Sequence, residues 1–325
     1  MKVCYIFREK ERNAHSIELL FDEISKRVND CGIEIDKWYK PQSNFKAILS
    51  VRKLKADIYH ITGDCYYLSL FLPWKKNIMT IHDIGMYKNH PKTLKRRLFA
   101  LVSFILPMKV LRVSTVISEL TKENLVNMLH IDPLKLNVIP NPLVLPISYS
   151  PKLFNKNHPT ILQIGTGQHK NLIGLIEAVK DMHCHLDIIG NPDEQLVKRM
   201  CDYKIDYTIS TNITNEQVIE KYKQCDILYF ASFSEGFGLP ILEAQAVGRP
   251  VITSDTEPTK SICGEGGICV NPNSYAEINM AIRKLIDQEE LRDSLIVNGL
   301  ENVKRYNVDQ IVSQYISLYR QLSEK

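Results

Sequence analysis

The chain has 325 residues, of which 44% are hydrophobic and 24% are charged, a composition typical of a globular protein long enough for two domains. Its eight cysteines include no CxxC pair, which argues against a disulfide framework or a zinc site and favours free thiols in a reducing compartment. The net charge of +4 is unevenly distributed, because residues 1–150 carry 23 Lys and Arg against 14 Asp and Glu, whereas the remainder is acidic.

The first half alternates short apolar runs with helical patterns. The segment "KVCYIF" predicts a buried strand, and "SIELLFDEISKRV" predicts a helix whose apolar residues recur on one face. Three further runs, "ADIYHIT", "NIMTIHD" and "STVISE", predict more strands. Because these runs are apolar without alternation, they indicate parallel strands that are covered on both faces.

The second half repeats this pattern after a proline-rich segment. Its predicted strands are "TILQIG", "HLDIIG", "DILYF", "PVITSD" and "GGICV", and its helices include "NLIGLIEAVKDM", "NEQVIEKYKQC" and "LPILEAQAVG". The intervening "IPNPLVLPISYSPKLFNKNHP" contains five prolines, a density that neither a helix nor a central strand tolerates. We therefore expect an α/β fold of two Rossmann-like, doubly wound parallel-sheet domains facing a cleft. The expected domains span residues 1–145 and 146–305, and a closing helix over 306–325 packs back on the first domain.

The stretch "DILYFASFSEGFGLPILEAQAVG" predicts a strand, a loop and a helix with features of a binding site. Gly236 and Gly238 let the backbone approach a ligand, and Pro240 suits a first helical turn, where unpaired N–H groups favour a phosphate. Glu235 lies in the loop, and Glu243 lies in the helix, where a carboxylate can accept hydrogen bonds from a diol such as ribose. Either glutamate alone is more simply a surface residue at a helix start, but the combination favours a site.

A second loop has a related design. In "TILQIGTGQHKNLIGLIEAV", Gly165 follows a strand and Lys170 precedes a helix, where its ammonium group could neutralise a diphosphate. The alternative is a solvated Lys170 beside a helix that Asn171 caps.

A third candidate lies in the first half, where "NIMTIHDIG" ends a strand with His82 and Asp83. His82 is a candidate for orienting a donor or acceptor sugar, and the alternatives are a structural histidine and a turn capped by Asp83.

These motifs together carry a family resemblance. "SEGFGLPILEAQAVGRPVITSD" resembles the signature of the family-4 (group 1) retaining glycosyltransferases, a two-domain group of nucleotide-sugar enzymes. "GTGQHKNLIGLIEAV" is similar to the family's lysine-bearing diphosphate loop, "TIHDIG" and "VISELTKENL" to motifs of its first domain, and "NVIPNPL" to its crossover. "AHSIELLFDEI" is similar to the branch that builds bacterial capsules and O-antigens. The resemblance implies a GT-B fold, retention at the anomeric carbon and work without a metal or other cofactor.

Carried over by position, the resemblance assigns roles to individual residues. Glu235 lies by the transferred sugar, Lys170 binds the diphosphate and His82 lies at the sugar, and these three are the catalytic candidates. The donor-binding candidates are Gly165, Thr166, Lys170, Glu235, Gly236, Phe237, Gly238, Leu239 and Glu243, the last of which binds the ribose hydroxyls. The acceptor-binding candidates are Arg8, His82 and Asp83.

One position departs from the family pattern. Thr166 stands where members commonly have an arginine, so the usual pair of cations at the diphosphate is incomplete. Arg8, Arg12 and His169 are candidates for replacing it.

The resemblance therefore implies transfer of a hexosyl group from a nucleotide diphosphate-sugar to a saccharide or lipid-linked acceptor in surface polysaccharide synthesis. Two alternatives stay open. A non-catalytic partner subunit of a glycosyltransferase is favoured by the missing arginine. A glycoside hydrolase also needs two carboxylates, but on opposite sides of one glycosidic bond.

Charge and hydropathy predict the location. "MKVCYIFREKERN" turns charged after one short apolar run, unlike a signal peptide, and the apolar stretch Leu98–Leu111 is too short to span a bilayer. We expect a cytoplasmic protein, and the basic, apolar segment Lys92–Leu106 predicts either peripheral contact with an anionic membrane or a core helix with a charged end.

Two other classes of ligand are not expected. RNA-binding aromatic motifs are missing, which argues against a nucleic-acid partner. His183 and His185 have no further ligands at a suitable spacing, which argues against a metal site.

Overall fold

The computed structural model describes residues 1–9, 16–85, 87 and 93–324, which form two compact units. The first unit comprises residues 1–144 and 306–325, and the second comprises residues 145–305. Each unit contains one six-stranded parallel sheet with flanking helices. The predicted class, a pair of doubly wound α/β domains, is confirmed.

The strands of the first unit begin with the predicted apolar run at the N-terminus. They are β1 (Lys2–Phe7), β2 (Glu34–Tyr39), β3 (Ile58–Ile61), β4 (Asn77–Ile81), β5 (Ser114–Val116) and β6 (Leu136–Val138). Its helices, in chain order, are α1 (Ser16–Asp30), α2 (Asn44–Val51), α3 (Leu94–Ala100), α4 (Leu106–Val110) and α5 (Glu119–Leu129). The strand order in the sheet is β2-β1-β3-β4-β5-β6.

The second unit follows the same plan. Its strands are β7 (Thr160–Ile164), β8 (His185–Ile189), β9 (Asp206–Ser210), β10 (Ile227–Phe230), β11 (Val251–Ser254) and β12 (Gly267–Val270). Its helices are α6 (Leu172–Val179), α7 (Glu194–Asp202), α8 (Asn215–Gln224), α9 (Leu239–Val247), α10 (Thr259–Cys263), α11 (Tyr275–Asp287) and α12 (Glu289–Val303). The last helix of the chain, α13 (Val308–Ser323), belongs to the first unit.

The interior strands of each sheet are buried on both faces, and this explains the continuous apolar runs of the sequence. In β1, Tyr5 packs with α1 and α13 on one face, whereas Ile6 belongs to the core on the other face. Successive side chains of a strand point to opposite faces, so a strand that is covered on both faces favours apolar residues at successive positions. The same buried layer contains His60, whose ring nitrogens lie 2.6 Å from the Tyr319 hydroxyl and 2.7 Å from the Thr80 hydroxyl.

The second sheet contains a topological switch point between β10 and β7. Its strand order is β12-β11-β10-β7-β8-β9, so the chain builds outward from β7 to β9 and then returns to pair β10 with β7. The loops that follow β7 and β10 therefore both leave the carboxyl end of the sheet and lie next to each other. In open α/β sheets ligands bind beside such a point, at the carboxyl ends of the strands.

Across the described parts of the chain, no helix has the length and apolar content needed to cross a membrane.

Candidate active site

The two loops at the switch point are joined directly by backbone. The N–H of Phe233 donates to the carbonyl oxygen of His169 at 2.8 Å. Gly165, which leaves β7 with a φ of +84°, adopts a conformation that disfavours other residues. This fixes the turn that leads to Lys170.

Lys170 and Glu235, which are 65 residues apart in sequence, form an ion pair between these loops. The Lys170 Nζ lies 2.7 Å from Glu235 Oε1, and the two side chains are 20% and 11% exposed. The same Nζ lies 4.7 Å from the centre of the Phe230 ring. A pair that is this dry interacts more strongly than an exposed one, and it holds both charges at the switch point.

The loop that carries Lys170 is braced by two buried polar side chains. The Nε2 of Gln163 donates to the carbonyls of Gly165 and Lys170 at 2.9 and 3.2 Å. Asn171 caps α6, as its pattern predicted, and its Nδ2 also donates to the carbonyls of Ala231 and Pro272. Asn171 thereby ties the Lys170 loop to the strand that leads to Glu235.

The amino end of α9 has no side-chain cap, whereas α6, α7 and α8 each have one. Gly238 occupies the cap position with a φ of +122°, and Pro240 lies in the first turn, as predicted. Backbone N–H groups at an uncapped helix start carry partial positive charge and suit an anion. This end of α9 lies in the same loop as Glu235.

Glu243 lies in α9 and is held by a neighbouring helix. Its Oε2 accepts a hydrogen bond of 2.6 Å from the hydroxyl of Tyr222, a fully buried residue of α8 that the sequence patterns did not single out. Burial raises the pKa of the Glu243 carboxyl to about 7, although the Tyr222 hydrogen bond acts in the opposite direction. A half-buried carboxylate maintained against its desolvation cost is typical of a functional position.

The acceptor candidates of the first unit follow the carboxyl ends of β1 and β4, the two strands that flank β3. The Nε2 of His82 lies 2.9 Å from the carbonyl oxygen of Thr62, and burial lowers the pKa of the ring. Because a carbonyl only accepts, a neutral His82 carries its proton on Nε2. Arg8 is paired with Glu18 at 3.1 Å and with Asp64 at 3.4 Å. The exposed Asp83 caps a turn by accepting from the N–H of Gly85.

The position after Gly165 is occupied by Thr166 and not by an arginine. The side chain of Thr166 instead packs over Gly190, where a Cβ would lie 2.8 Å from the Thr166 Cγ2. His169 is exposed beside Lys170, and Arg12 lies outside the described residues. His183 and His185 bond to the carbonyl of Asn157 and to the carboxylate of Asp206, respectively.

A scan of family models gives a match over residues 149–302, which contain all of these second-unit residues, with the model described as glycosyl transferases group 1. This segment belongs to that family. The family resemblance predicted from the sequence is thereby confirmed. Outside this segment the similarity is one of fold, and it extends over the whole length of solved structures.

Relatives and solved structures extend the comparison. The chain is 29% identical over 157 residues to an uncharacterized glycosyltransferase of Methanocaldococcus jannaschii, covering 46% of this chain and 44% of that protein. It is 26% identical to the O-antigen chain mannosyltransferase RfbU of Salmonella typhimurium, over 73% of this chain and 67% of that protein. HepE of Anabaena, solved in complex with UDP and glucose, has a TM-score of 0.79 at 15% identity and covers 99% of this chain and 100% of that chain. The alignments with the first three curated relatives span only 28% to 44% of those proteins.

We predict that Glu243 lowers the stability of the folded chain as the pH rises. Its carboxyl ionises near pH 4.5 in an unfolded chain and near 7 in the folded one, so ionisation favours the unfolded state across that interval. Between pH 5 and pH 8, the free energy of unfolding of Glu243→Gln should therefore rise by about 1–3 kcal/mol relative to that of the wild type, because one pKa unit corresponds to about 1.4 kcal/mol. Urea unfolding at the two pH values measures this change.

The exposed Glu301 provides the matched control, and Glu301→Gln should show no such pH-dependent gain. Equal behaviour of the two variants would show that the Glu243 carboxyl titrates normally.

Proposed function

We propose that the chain transfers a hexosyl group from a nucleotide diphosphate-sugar to a saccharide or lipid-linked saccharide in surface polysaccharide synthesis. The transfer retains the configuration at the anomeric carbon and needs no metal ion. The observation that carries this proposal is the Lys170–Glu235 pair beside the uncapped start of α9. The named relatives in O-antigen synthesis and the UDP and glucose in the HepE structure support the substrate classes.

Each side chain of the second unit has a distinct task in this reaction. Transfer leaves negative charge on the departing diphosphate and positive charge at the anomeric carbon. Lys170 and the N–H groups from Gly236 to Leu239 stabilise the first charge, with the backbone of Gly165 and Thr166 completing that wall. Glu235 stabilises the second charge. Because the two side chains are already paired, both are held at the switch point before the donor binds.

The remaining roles follow from hydrogen-bonding capacity. Glu243 accepts from the ribose hydroxyls while Tyr222 fixes the position of its other oxygen. In the first unit, the neutral His82 uses its Nδ1 lone pair to accept from a sugar hydroxyl, and Arg8 and Asp83 contact the acceptor. Such positioning groups lower the barrier by holding the reactants in register.

The hydrolase alternative fits the geometry less well. A glycosidase needs one carboxylic acid and one carboxylate that act on a single bond from two sides. Here Glu235 is neutralised by Lys170, and Glu243 is bonded to a buried tyrosine on a separate helix. These partners suit the binding of a charged, diol-bearing donor.

We predict that Lys170→Ala and Glu235→Gln reduce kcat by about 10²–10³-fold, the usual cost of a lost charge-stabilising group. Lys170→Ala should also weaken donor binding, because the ground-state diphosphate is already charged. His82→Ala should reduce transfer with a smaller effect on the affinity for free nucleotide. Steady-state kinetics with a purified donor and acceptor measure each effect.

Lys198→Ala, which removes an exposed lysine of α7, is the matched control and should leave the kinetics unchanged. Wild-type rates in all three site variants would refute this active site. A wild type that binds the nucleotide-sugar but transfers only when another subunit is added would favour the partner alternative.

We predict further that transfer continues at an undiminished rate in excess EDTA, since Lys170 and the α9 N–H groups supply the positive charge at the diphosphate. The same assay with added magnesium or manganese should show no stimulation. Activity lost in EDTA and restored by either ion would contradict the metal-independent mechanism.

The first unit presents an apolar and basic surface that suits an anionic membrane. Leu94 and Leu98 are 80% and 59% exposed on one side of α3, with Leu101 in the next turn, and Lys95 and Arg97 are exposed beside them. An amphipathic helix of this kind binds at a bilayer surface, where lipid-linked acceptors lie. Lys92, with which the predicted segment began, lies outside the described residues. We propose that the protein contacts the inner face of the cell membrane through this surface.

The membrane proposal predicts that the protein sediments with phosphatidylglycerol vesicles at low salt and is released above about 0.1 M salt, where charges are screened over about 10 Å. The double variant Leu94→Glu with Leu98→Glu should stay in the supernatant. Leu134→Glu, at an isolated exposed leucine, should still sediment. Sedimentation of the double variant at the wild-type level would refute the assignment to α3.

A further inference from the structure

Two cysteines of the second unit lie close together near the proposed donor site. Cys263 ends α10, and Cys269 lies in β12. Their proximity depends on Gly267, because a Cβ there would lie 2.5 Å from the Cys263 Sγ. Gly267 and Cys269 alternate onto the same face of β12, so the Cys263 thiol occupies the face on which the Cys269 side chain stands.

The two thiols differ in environment. Cys263 is fully buried, whereas Cys269 is partly exposed. The interaction with the Cys263 thiol, helped by the charge of Lys260, lowers the pKa of the Cys269 thiol, and the same interaction raises the pKa of Cys263. Thiolates are the reactive form of cysteine, so Cys269 is the nucleophile that reacts first. Cys263 is the second thiol, which can then form a disulfide with Cys269.

Helix α10 connects this pair to the donor site. The carbonyl of Cys263 accepts from the Nε2 of Gln245 at 2.8 Å, and Gln245 lies two residues after Glu243 in α9. At the other end of α10, the Thr259 Cγ2 lies 3.6 Å from the place where a Cβ of Gly238 would be. A displacement of α10 is therefore transmitted both to the helix of Glu243 and to the loop of Glu235.

We propose that Cys263 and Cys269 form a reversible dithiol–disulfide pair, oxidised by a peroxide, whose closure weakens binding of the nucleotide-sugar donor. The effect on the donor rests on the function proposed above, whereas the oxidation itself does not. Closing the bond shortens the distance between the two sulfurs to about 2 Å and draws the end of α10 towards β12.

The oxidation proceeds in two steps. The Cys269 thiolate attacks one peroxide oxygen, so an S–O bond forms, the O–O bond breaks, and the hydroxide that leaves takes up a proton to become water. The Cys263 thiol then loses its proton and its sulfur attacks the Cys269 sulfur, which forms the S–S bond and releases the sulfenic oxygen as a second water. Two thiols are oxidised by two electrons, and one peroxide is reduced to two waters.

The test uses the full chain with Cys31→Ser and Cys201→Ser, which removes the exposed thiols and with them disulfides between molecules. The protein is treated with stoichiometric hydrogen peroxide under native conditions, alkylated and analysed by peptide mapping. We expect a Cys263–Cys269 linkage that dithiothreitol reverses. A folded protein in which both cysteines remain alkylatable, or in which Cys269 stops at the sulfinic acid, would overturn the proposal.

The consequence for the donor is measured on the same samples. Calorimetry with UDP-, GDP- and ADP-glucose identifies the tightest ligand of the reduced protein, and oxidation should weaken that affinity by about fivefold or more. Cys269→Ala should bind like the reduced protein with and without peroxide. Formation of the disulfide with unchanged affinity would overturn the coupling to the donor site. Failure of the reduced protein to bind any of the three nucleotides would refute the proposed function instead, and the mapping would still decide the oxidation.

Discussion

The parallel pairing of β10 with β7 is the constraint on which the proposed site depends. The chain reaches β10 only after it has added β8 and β9 to the far side of β7, and the register Ile227↔Ile161 then aligns the carboxyl ends of the two strands. All charged contacts of the site follow from this return. The Lys170 loop leaves β7, the Glu235 loop leaves β10, and a backbone hydrogen bond and an ion pair close the gap between them.

The proposed site combines a rigidly held loop with polar groups whose burial is unfavourable. The buried amide NH2 groups of Asn171 and Gln163 donate to backbone carbonyls on both sides of the Lys170 loop, which holds this loop in place before any ligand arrives. By contrast, the amino end of α9 keeps no side-chain cap, and Glu243 holds a carboxyl whose ionisation is opposed by burial. Rigid supports beneath costly polar groups are the arrangement expected of a preorganised site, because the cost is met during folding.

How far the sequence predicted the fold depended on where each strand lies in its sheet. Interior strands such as β1, β7 and β10 are buried on both faces, and their apolar runs identified them. The strands β2, β6 and β9 were not predicted. All three are edge strands. Glu34–Tyr39 and Asp206–Ser210 contain no fully buried side chain, and β6 has only three residues. An edge strand is defined by its neighbour in the sheet, which a local pattern does not contain.

The site shows the same division between local and tertiary information. Turn glycines, Pro240 and the cap at Asn171 are read from neighbouring residues, and each is found where its pattern placed it. The pairing of Lys170 with Glu235 arises only through sheet topology, and Tyr222 reaches Glu243 from a helix 21 residues earlier. Because hydrogen bonds between helices leave no periodic signal, no rule of sequence reading would have selected that tyrosine.

Because position 166 is a threonine and not an arginine, the proposed donor site has little net positive charge. A diphosphate bridging two sugars carries two negative charges, and Lys170, the lysine that the described residues bring to the switch point, is already neutralised by Glu235. An uncapped helix start adds about half a positive charge. The donor diphosphate would therefore arrive at a nearly neutral wall and draw Lys170 away from Glu235 as it binds. That exchange would leave Glu235 without its partner at the moment when positive charge develops on the sugar, so the incomplete cationic pair would couple donor binding to the activation of the catalytic carboxylate.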